Sequence, residues 1–484
     1  MAYMHGVYTL ESPTRLQVPV PVDSAIPIAV GVAPVHKLEN PLVAVNNPSM
    51  SFSYGEMVAD MGYSDNWKKF PLAEIIYSQF RLHAVSPLIL INVWNPLKDA
   101  QDVAIPDLPI VNGVATIEDE MAMISAVTVK NGSDNYVRGK DFTLKYDDDG
   151  NLLITVKEDG DIPENAISLS VLYKQATVDG ITKKDIAGGV DPDTNKRTGI
   201  ELVTEVFPLL KKIVGFFISP VWSKDPEIYA LMCAKAHNLG YGFTCIVCAD
   251  LPTLGEYKNY RKMPKWKDDN SYVDPFSFLT WGCVKIGDRV FHGSTRLVGM
   301  FGQVDAKNNG LPYEQASNKN LTMTDMCDED GNVIPVLSDE QANYLNSNGI
   351  GTWINFDGWR SWGVETAAFP GNTDIKDFER SVRRMFCYVQ NVVIRMMRQN
   401  VDRPTTRLFI DSVLLTANEY LNSLKSRGAI IGGLVEFLRA DNSNQDIMSG
   451  QLYWRVSITP PNAAKALIFD FEYNPDFLAS LFAA

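Results

Sequence analysis

The amino-acid sequence predicts a multidomain α/β protein with a small inserted β domain, an α+β C-terminal domain and extended strand arms at both ends. Three observations lead to this fold class. Apolar strands alternate with helices on either side of residues 105–190, which themselves consist of strand after strand. Two long predicted helices follow near the C-terminus. Both chain ends are strand-like but have no local segment with which to pair.

The strand-like chain ends predict that the protein links to copies of itself. Prolines keep the N-terminal segment out of a helix, and the C-terminal strand follows the stiff break Thr459-Pro460-Pro461. An unpaired strand exposes amides and carbonyls that another chain can complete. The predicted inter-subunit arm residues are Val7, Tyr8, Leu10, Leu16, Val18, Leu467, Phe469, Phe471 and Tyr473.

The order of elements divides the chain into six parts. These are an N-terminal arm (1–22), an α/β segment (23–104), an inserted β domain (105–190), a central α/β domain (191–368), an α+β domain (369–460) and a C-terminal arm (461–484). In the first α/β segment, apolar runs predict a strand at 26–32, a helix at 72–82 and a buried strand at 88–93.

Alternating side chains predict a hairpin in the inserted domain, with strands at 142–146 and 152–156 around a turn at Asp149-Gly150-Asn151, followed by a strand at 167–173. The central domain has predicted strands at 213–218, 243–248 and 290–301, with a helix at 226–239 between the first two. The α+β domain begins with a helix at 375–400, capped by Asn372, Thr373 or Asp374. A second helix at 407–427 ends at Gly428.

Composition excludes several classes of protein. The 484 residues are 45% hydrophobic and 21% charged, which provides a sizeable core. A net charge of −14 argues against direct nucleic-acid binding. The start of the sequence has no signal-peptide pattern, and the longest apolar stretch, near 213–222, is too short for stable membrane insertion. We therefore expect folding in a cytoplasm, with the six cysteines reduced.

The sequence contains residues that could form a zinc, calcium or catalytic site, but in each case a structural role of those residues explains the pattern better. Cys233, His237, Cys245 and Cys248 offer four zinc ligands, but the Cys-x-x-Cys pair lies in an apolar strand, where its side chains point to opposite faces. Two acidic loops ending at Gly150 and Gly331 lack the terminal ligands of a calcium loop. Without a nucleophile elbow, P-loop or dinucleotide fingerprint, adjacent His292 and Ser294 do not indicate an enzyme. We expect no catalytic residues, no metal and no cofactor.

A basic stretch is the clearest charged feature of this acidic chain. Its arginines include Arg380, Arg383, Arg384, Arg395 and Arg398 on the predicted helix at 375–400. Apolar positions at helical spacing, such as Val389 and Val393, are expected to face the core, which leaves the arginines on the other face. This face either is solvated or contacts an acidic partner.

Four runs in the second half of the chain form a distinctive order: FHGS at 291–294, GLPYEQASNK at 310–319, LNSNGIGT at 345–352 and GWRSWGVET at 358–366. In this order they resemble the central domain of contractile tail sheath proteins of myoviruses and related injection particles. The N-terminal Gly6-Val7-Tyr8, the strand at 26–34 and the closing order of helices, strands and tail also fit. The resemblance covers most of the chain, with the β insertion the most variable part.

The resemblance implies a virion subunit that is assembled in the host cytoplasm. Its implied partners are neighbouring sheath subunits in helical or stacked rings, the tail tube, and the baseplate and tail terminator proteins. The implied core has a subtilisin-like topology without the catalytic triad, and the C-terminal region faces the tube. Contraction would drive the tube through a bacterial cell envelope. Two other classes stay open: a soluble oligomeric α/β enzyme, and another virion component such as a tube or baseplate protein.

Overall fold

The computed structural model describes residues 20–21, 23–131 and 134–482. The predicted arm residues Val7, Tyr8, Leu10, Leu16 and Val18 therefore lie outside the described residues. The first part of the described chain contains a strand, a helix and a strand in the predicted order. Its elements are β1 (Val20–Pro21), β2 (Pro27–Gly31), β3 (Ser49–Ser51), α1 (Tyr54–Met61), α2 (Pro71–Tyr77), a π-helical turn (Ser78–His83), β4 (Val85–Ser86) and β5 (Leu88–Asn92).

Two small antiparallel sheets form the inserted segment. The predicted hairpin is present, with Phe142 opposite Val156. The strand orders are β10-β11-β7 and β6-β12-β8-β9, and a hydrophobic cluster that includes Phe142, Leu152 and Ile154 belongs to this segment alone. The strands are β6 (Gln101–Pro109), β7 (Val114–Ile117), β8 (Thr128–Asn131), β9 (Asp134–Asn135), β10 (Phe142–Tyr146), β11 (Leu152–Val156) and β12 (Ser168–Gln175).

The central part returns to alternating strands and helices. The strands predicted at 213–218 and 243–248 are present, as is the helix between them. The elements are α3 (Lys183–Ala187), β13 (Gly189–Val190), β14 (Arg197–Thr198), α4 (Val206–Leu210), β15 (Phe216–Ile218), α5 (Pro226–His237), β16 (Ile246–Asp250), α6 (Met263–Asp269), β17 (Ser277–Thr280), β18 (Cys283–Ile286), β19 (Arg289–Phe291), α7 (Gly293–Lys307), β20 (Asp325–Cys327), α8 (Asp339–Asn346), β21 (Ile350–Asn355) and β22 (Trp359–Trp362).

The C-terminal part is built from two long helices and a hairpin. The helix predicted at 375–400 is interrupted at Glu379, whose extended backbone (ψ 123°) ends one helix and precedes the next. Asp374 caps the first of these helices, as one of the three predicted candidates. The elements are α9 (Ile375–Phe378), α10 (Arg380–Met397), α11 (Arg407–Ser426), β23 (Gly432–Glu436), α12 (Asn444–Met448) and β24 (Arg455–Thr459), with a 3₁₀ segment at Pro475–Phe482.

An eight-stranded sheet joins the parts of the chain before and after the insertion. Its order is β22-β21-β17-β16-β15-β2-β5-β3. The six inner strands are parallel, and β22 and β3 are antiparallel edges. Every residue of β2, β5, β15, β16 and β17 is buried. Such apolar runs are typical of a parallel sheet that is covered on both faces.

The prediction of a strand at 290–301 is wrong, because β19 ends at Phe291 and α7 begins at Gly293. Twelve of the fifteen residues of α7 are buried, so apolar side chains surround the helix and no helical period marks the sequence. Gly299 lets α7 pack closely against the π-helical turn. A Cβ atom at Gly299 would lie 2.2 Å from Cδ2 of His83.

His36 connects the inserted segment to the α/β core. Its ring is buried, stacks on Phe70 with centroids 5.4 Å apart, and places Nε2 2.8 Å from the carbonyl oxygen of Glu120. The Glu120 carboxylate in turn accepts hydrogen bonds from Ser64 (2.5 Å) and Asn66 (3.1 Å). Burial lowers the pKa of His36 to about 4, because a charged ring loses its hydration there.

We expect His36 to make the protein less stable in acid. The pKa is about 4 in the folded chain and 6.5 in the unfolded chain, so the unfolded chain binds more protons between these values and stability falls as the pH falls from 6.5 towards 4. Between pH 7 and pH 4.5 this group should account for about 2.5 kcal/mol. Urea unfolding of the wild type and His36→Gln at both pH values measures it: the variant should lose about that much less. Equal losses would contradict the assignment.

Candidate assembly surfaces

Three of the five predicted surface arginines are buried inside the subunit. Arg380, Arg383 and Arg384 are 2%, 5% and 3% exposed. The prediction that they lie on a solvent-facing or partner-facing side of the helix is wrong. The interruption at Glu379 places the first turn of α10 against the α/β core, where several side chains and carbonyl oxygens accept hydrogen bonds from the guanidinium groups.

Arg384 forms a buried ion pair with Asp305 of α7. Its two terminal nitrogens donate to the two carboxylate oxygens at 3.0 and 2.5 Å, and Ser24 donates a further hydrogen bond to the same carboxylate at 2.6 Å. The guanidinium carbon also lies 4.5 Å from the ring centroid of Phe301. This bidentate geometry fixes α10, α7 and the beginning of the described chain relative to one another.

Arg380 and Arg383 make further internal contacts. Arg380 donates from Nε to the carbonyl oxygen of Glu365 (2.6 Å) and from a terminal nitrogen to that of Leu279 (3.1 Å). Burial lowers the pKa of Arg380 to about 10. Arg383 donates to Asp377 at 3.1 Å. The first turn of α10 therefore binds the C-terminal region to the central sheet.

Arg395 and Arg398 remain on the surface at the end of α10. Both are exposed, and neither makes a side-chain hydrogen bond or ion pair within the part of the chain that the structure describes. Val389, Val393 and Met397 pack into the C-terminal hydrophobic cluster, as the helical spacing predicts. The division of the five arginines thus follows the length of the helix: the first turn is buried and the last turn is free for a partner.

The C-terminal arm is anchored to its own subunit at Lys465. Lys465 forms an ion pair with Glu365 at 2.7 Å and lies 4.8 Å from the ring centroid of Phe378. Beyond it, no described residue of this subunit pairs with the segment at 466–474 as a strand. The predicted arm residues there are highly exposed: Leu467 76%, Phe469 75%, Phe471 93% and Tyr473 77%. These apolar side chains thus lack burial within their own subunit.

β23 and β24 form a two-stranded antiparallel sheet beside the arm. The outer edge of β23 is covered at Val435, whose amide donates to and whose carbonyl accepts from the side chain of Asn418 on α11 (2.9 and 3.0 Å). The outer edge of β24 has no strand partner among the described residues. Since two strands alone are marginally stable in water, this edge is suited to receive another strand.

The candidate zinc ligands are not arranged as a metal site. Cys233, Cys245 and Cys248 are buried, and burial raises the pKa of each thiol. His237 instead contacts Asp274, with Nε2 2.8 Å from a carboxylate oxygen. No cluster of His, Cys, Asp or Glu suited to a metal ion is present in residues 20–21, 23–131 and 134–482.

His292 and Ser294 do not form a nucleophile and base. Ser294 donates to Asp250 at 2.5 Å, whereas His292 Nδ1 lies 2.7 Å from Glu74. Burial lowers the pKa of His292, but the adjacent Glu74 carboxylate outweighs this effect and raises the pKa to about 9. The ring is therefore protonated at neutral pH, and it cannot accept a proton from a serine.

Comparison with known proteins identifies the fold and the C-terminal region. Residues 375–474 match the family model described as the phage tail sheath C-terminal domain. The tail sheath protein of Burkholderia phage BcepMu is 26% identical over 99% of this chain and 98% of its own length. Over nearly its whole length, this chain is therefore similar to a contractile tail sheath protein. The tail sheath protein of Escherichia phage P2 is 24% identical over 62% of this chain and 73% of that protein.

Solved structures of contractile particles share the fold of this sheath protein. A chain of the anti-feeding prophage baseplate has a TM-score of 0.60 and 13% identity, and covers 98% of this chain and 100% of its own. A chain of an extracellular contractile injection system, the PVC sheath complex in its contracted state, has a TM-score of 0.56 and 13% identity, with 99% of both chains covered.

The similarity to tail sheath proteins confirms the predicted function class over the enzyme alternative. The relatives are structural tail sheath proteins, which are components of virions and are not enzymes. The mixed α/β multidomain fold is confirmed as well. Among the described residues of this sheath protein, no helix combines the length and apolar character needed to cross a membrane.

We expect the Arg384–Asp305 pair to stabilise the sheath subunit strongly. Arg384→Met leaves the Asp305 carboxylate buried without its partner, which should lower the free energy of unfolding by about 3–5 kcal/mol. Urea unfolding monitored by circular dichroism measures this loss. The matched control is Arg398→Met on the exposed end of the same helix, which should change stability by less than about 0.5 kcal/mol. The pair would have no such role if both variants unfolded like the wild type.

Proposed function

We propose that this sheath protein polymerises around a tail tube and contracts to drive the tube through a bacterial cell envelope. The observation that carries the proposal is the C-terminal arm, whose apolar side chains are exposed in the single subunit and which follows β24, a strand with one unpaired edge among the described residues. A subunit built in this way is completed only by a second copy. The partners are neighbouring sheath subunits, the tube, and the baseplate and tail terminator proteins, and assembly takes place in the host cytoplasm.

Strand exchange between copies supplies the link along the sheath. The arm at 466–473 leaves one subunit and adds to the outer edge of β24 in a neighbour, where its backbone completes the two-stranded sheet. Apolar side chains such as Phe469 and Phe471, exposed in the single subunit, become buried in the contact. The N-terminal arm residues Val7, Tyr8, Leu10, Leu16 and Val18 are proposed to act in the same way. Since each copy donates and accepts, the contact does not close on itself and produces a filament.

Contraction requires two packings of the same subunits with different free energies. The buried arginine contacts hold the C-terminal region to the α/β core, so we propose that whole subunits rotate while the arms stay paired. The stiff break at Thr459-Pro460-Pro461 lies between β24 and the arm and limits the bending to a short joint.

The tube contact is assigned to the exposed end of α10. Arg395 and Arg398 are free of partners among the described residues of their own subunit, and a guanidinium group can bind carboxylates of a partner in a bidentate manner. Arg380, Arg383 and Arg384 are excluded from this contact because they are buried and bonded internally.

The finer organisation of the chain belongs to the same proposal. We propose that the six parts at 1–22, 23–104, 105–190, 191–368, 369–460 and 461–484 act as arm, α/β segment, insertion, central domain, tube-facing domain and arm. The central domain is proposed to have a subtilisin-like topology. Its parallel strands support this order.

Removal of residues 466–484, which keeps the ion pair between Lys465 and Glu365, should abolish polymerisation and leave the subunit folded. The arm residues are exposed in the single subunit, so their loss should change the free energy of unfolding by less than about 1 kcal/mol. Negative-stain electron microscopy of the purified protein should show tubes or rings for the wild type and small particles for the truncated chain. The double variant Phe469→Asp with Phe471→Asp tests the same contact without a truncation. Its matched control is Ile167→Asp in the inserted segment, because Ile167 is also an exposed apolar residue (83%). Tubes of normal length from the truncated protein would contradict the proposal.

Charge reversal at the end of α10 should weaken the association of sheath with tube. Arg395→Glu with Arg398→Glu replaces two attractive charges by two repulsive ones, and we expect at least a tenfold loss of tube-bound sheath at low salt. Co-sedimentation of sheath with purified tubes measures the loss. Arg261→Glu, an exposed arginine outside the C-terminal region, is the control and should bind normally. Tails of normal length in the double variant would rule out this contact.

A further inference from the structure

A preformed cavity lies between α10 and the amino-terminal edge of the central sheet. Its volume is about 440 Å³, within the range of about 300–1,000 Å³ that is usual for sites holding a ligand or several side chains. Residues at the beginnings of β2, β15 and β16 form one wall of the cavity, and α10 forms the other. The apolar lining includes Ile26, Val214, Ile246, Cys387, Val392 and Met396.

The walls of this cavity are held in place by hydrogen bonds across it. The side-chain amide of Asn391 on α10 donates to the carbonyl oxygen of Thr244 (2.7 Å), and its oxygen accepts from the Thr244 amide (2.9 Å). The Arg384–Asp305 pair closes the inner end. Because both walls are fixed, the cavity needs no rearrangement before a ligand enters.

The rim of the cavity is positively charged. Arg395 lines it, is exposed and has no ion-pair partner among the described residues. Lys212 and Asp23 line it as well and form an ion pair at 2.6 Å, so Arg395 supplies the unpaired positive charge. An apolar interior with a basic rim selects a ligand that carries apolar side chains next to acidic groups.

The chain itself contains a segment with this chemistry. In the segment 468–473, the acidic residues Asp470 and Glu472 are interspersed in the sequence with four apolar residues, Ile468, Phe469, Phe471 and Tyr473. The apolar side chains are 75–93% exposed in their own subunit. In an extended strand, Phe469 and Phe471 share one face, and Asp470 and Glu472 share the other.

We propose that the cavity binds the ring of Phe469 or Phe471 from a second copy of this chain, with Asp470 and Glu472 outside it at the basic rim. This inference rests on the proposed function in one respect, namely that copies associate through their arms. It adds a specific receiving site to the backbone pairing at β24. Insertion of one aromatic ring removes apolar surface from water on both partners, which makes this contact an anchor of the interface.

The test uses a fluorescent synthetic peptide with the sequence of residues 466–476 and the full-length protein, below the concentration at which it polymerises. Anisotropy should show saturable binding to the wild type. Val392→Trp fills the cavity and should weaken peptide binding at least tenfold, whereas Val111→Trp, an exposed position in the inserted segment, should not change it. A peptide carrying Phe469→Ala and Phe471→Ala should also bind at least tenfold more weakly, which keeps the test valid even if Val392→Trp folds poorly.

Two results would overturn the proposal. One is peptide affinity that is unaffected by Val392→Trp in a protein of normal thermal stability, or no binding of the peptide to the wild type. The other is a hydrogen-exchange change in Val392→Trp that is confined to residues 2–19, which would make the N-terminal segment the occupant. Electron microscopy of the wild-type protein tests the proposed function separately from the peptide assay. Tubes would support assembly into a sheath even if the peptide does not bind in the cavity. Small closed particles would instead contradict strand exchange between copies.

Discussion

The buried ion pair between Arg384 and Asp305 is the constraint on which the rest of the subunit depends. It connects the first helix of the C-terminal region to a helix that covers the central sheet, and Ser24 brings the beginning of the described chain to the same carboxylate. Burying two charged groups costs their hydration, and the bidentate geometry together with the additional donor offsets this cost. The pair therefore makes the α/β core and the C-terminal region one body, and relative motion is left to the contacts between subunits.

This constraint also explains how one basic stretch serves two purposes. The arginines of the first turn of α10 bond to carbonyl oxygens and carboxylates within the subunit, so their guanidinium groups are not available to a partner. Arg395 and Arg398 lie about four turns further along, where the helix has left the core. The same helix thus joins the subunit internally at one end and presents both charge and a cavity wall at the other.

Much of the architecture could be predicted from the sequence because its signals are local. The hairpin around Gly150, the helix ended by Gly428 and the buried strands near Ile28 and Leu90 each carry turn, cap or apolar patterns that need no partner. Residues 290–301 could not, because α7 is buried on nearly all sides and loses the helical period. The inward arginines could not be predicted either, because their partners, such as Asp305 and the carbonyl oxygen of Leu279, are distant in sequence. The cavity and the covered edge of β23 arise from residues distant in sequence, such as Asn391 with Thr244 and Asn418 with Val435.

The burial of all six cysteines has a consequence for the oxidation chemistry of an assembled sheath. A thiol reacts with oxidants chiefly as a thiolate, and each of these thiols is buried with a pKa raised by burial. The surface of the subunit therefore presents no cysteine thiol that could form a disulfide bond with a neighbour. Disulfide bonds between neighbouring copies would oppose the change of packing that contraction requires. A subunit surface without reactive thiols therefore keeps the sheath able to contract.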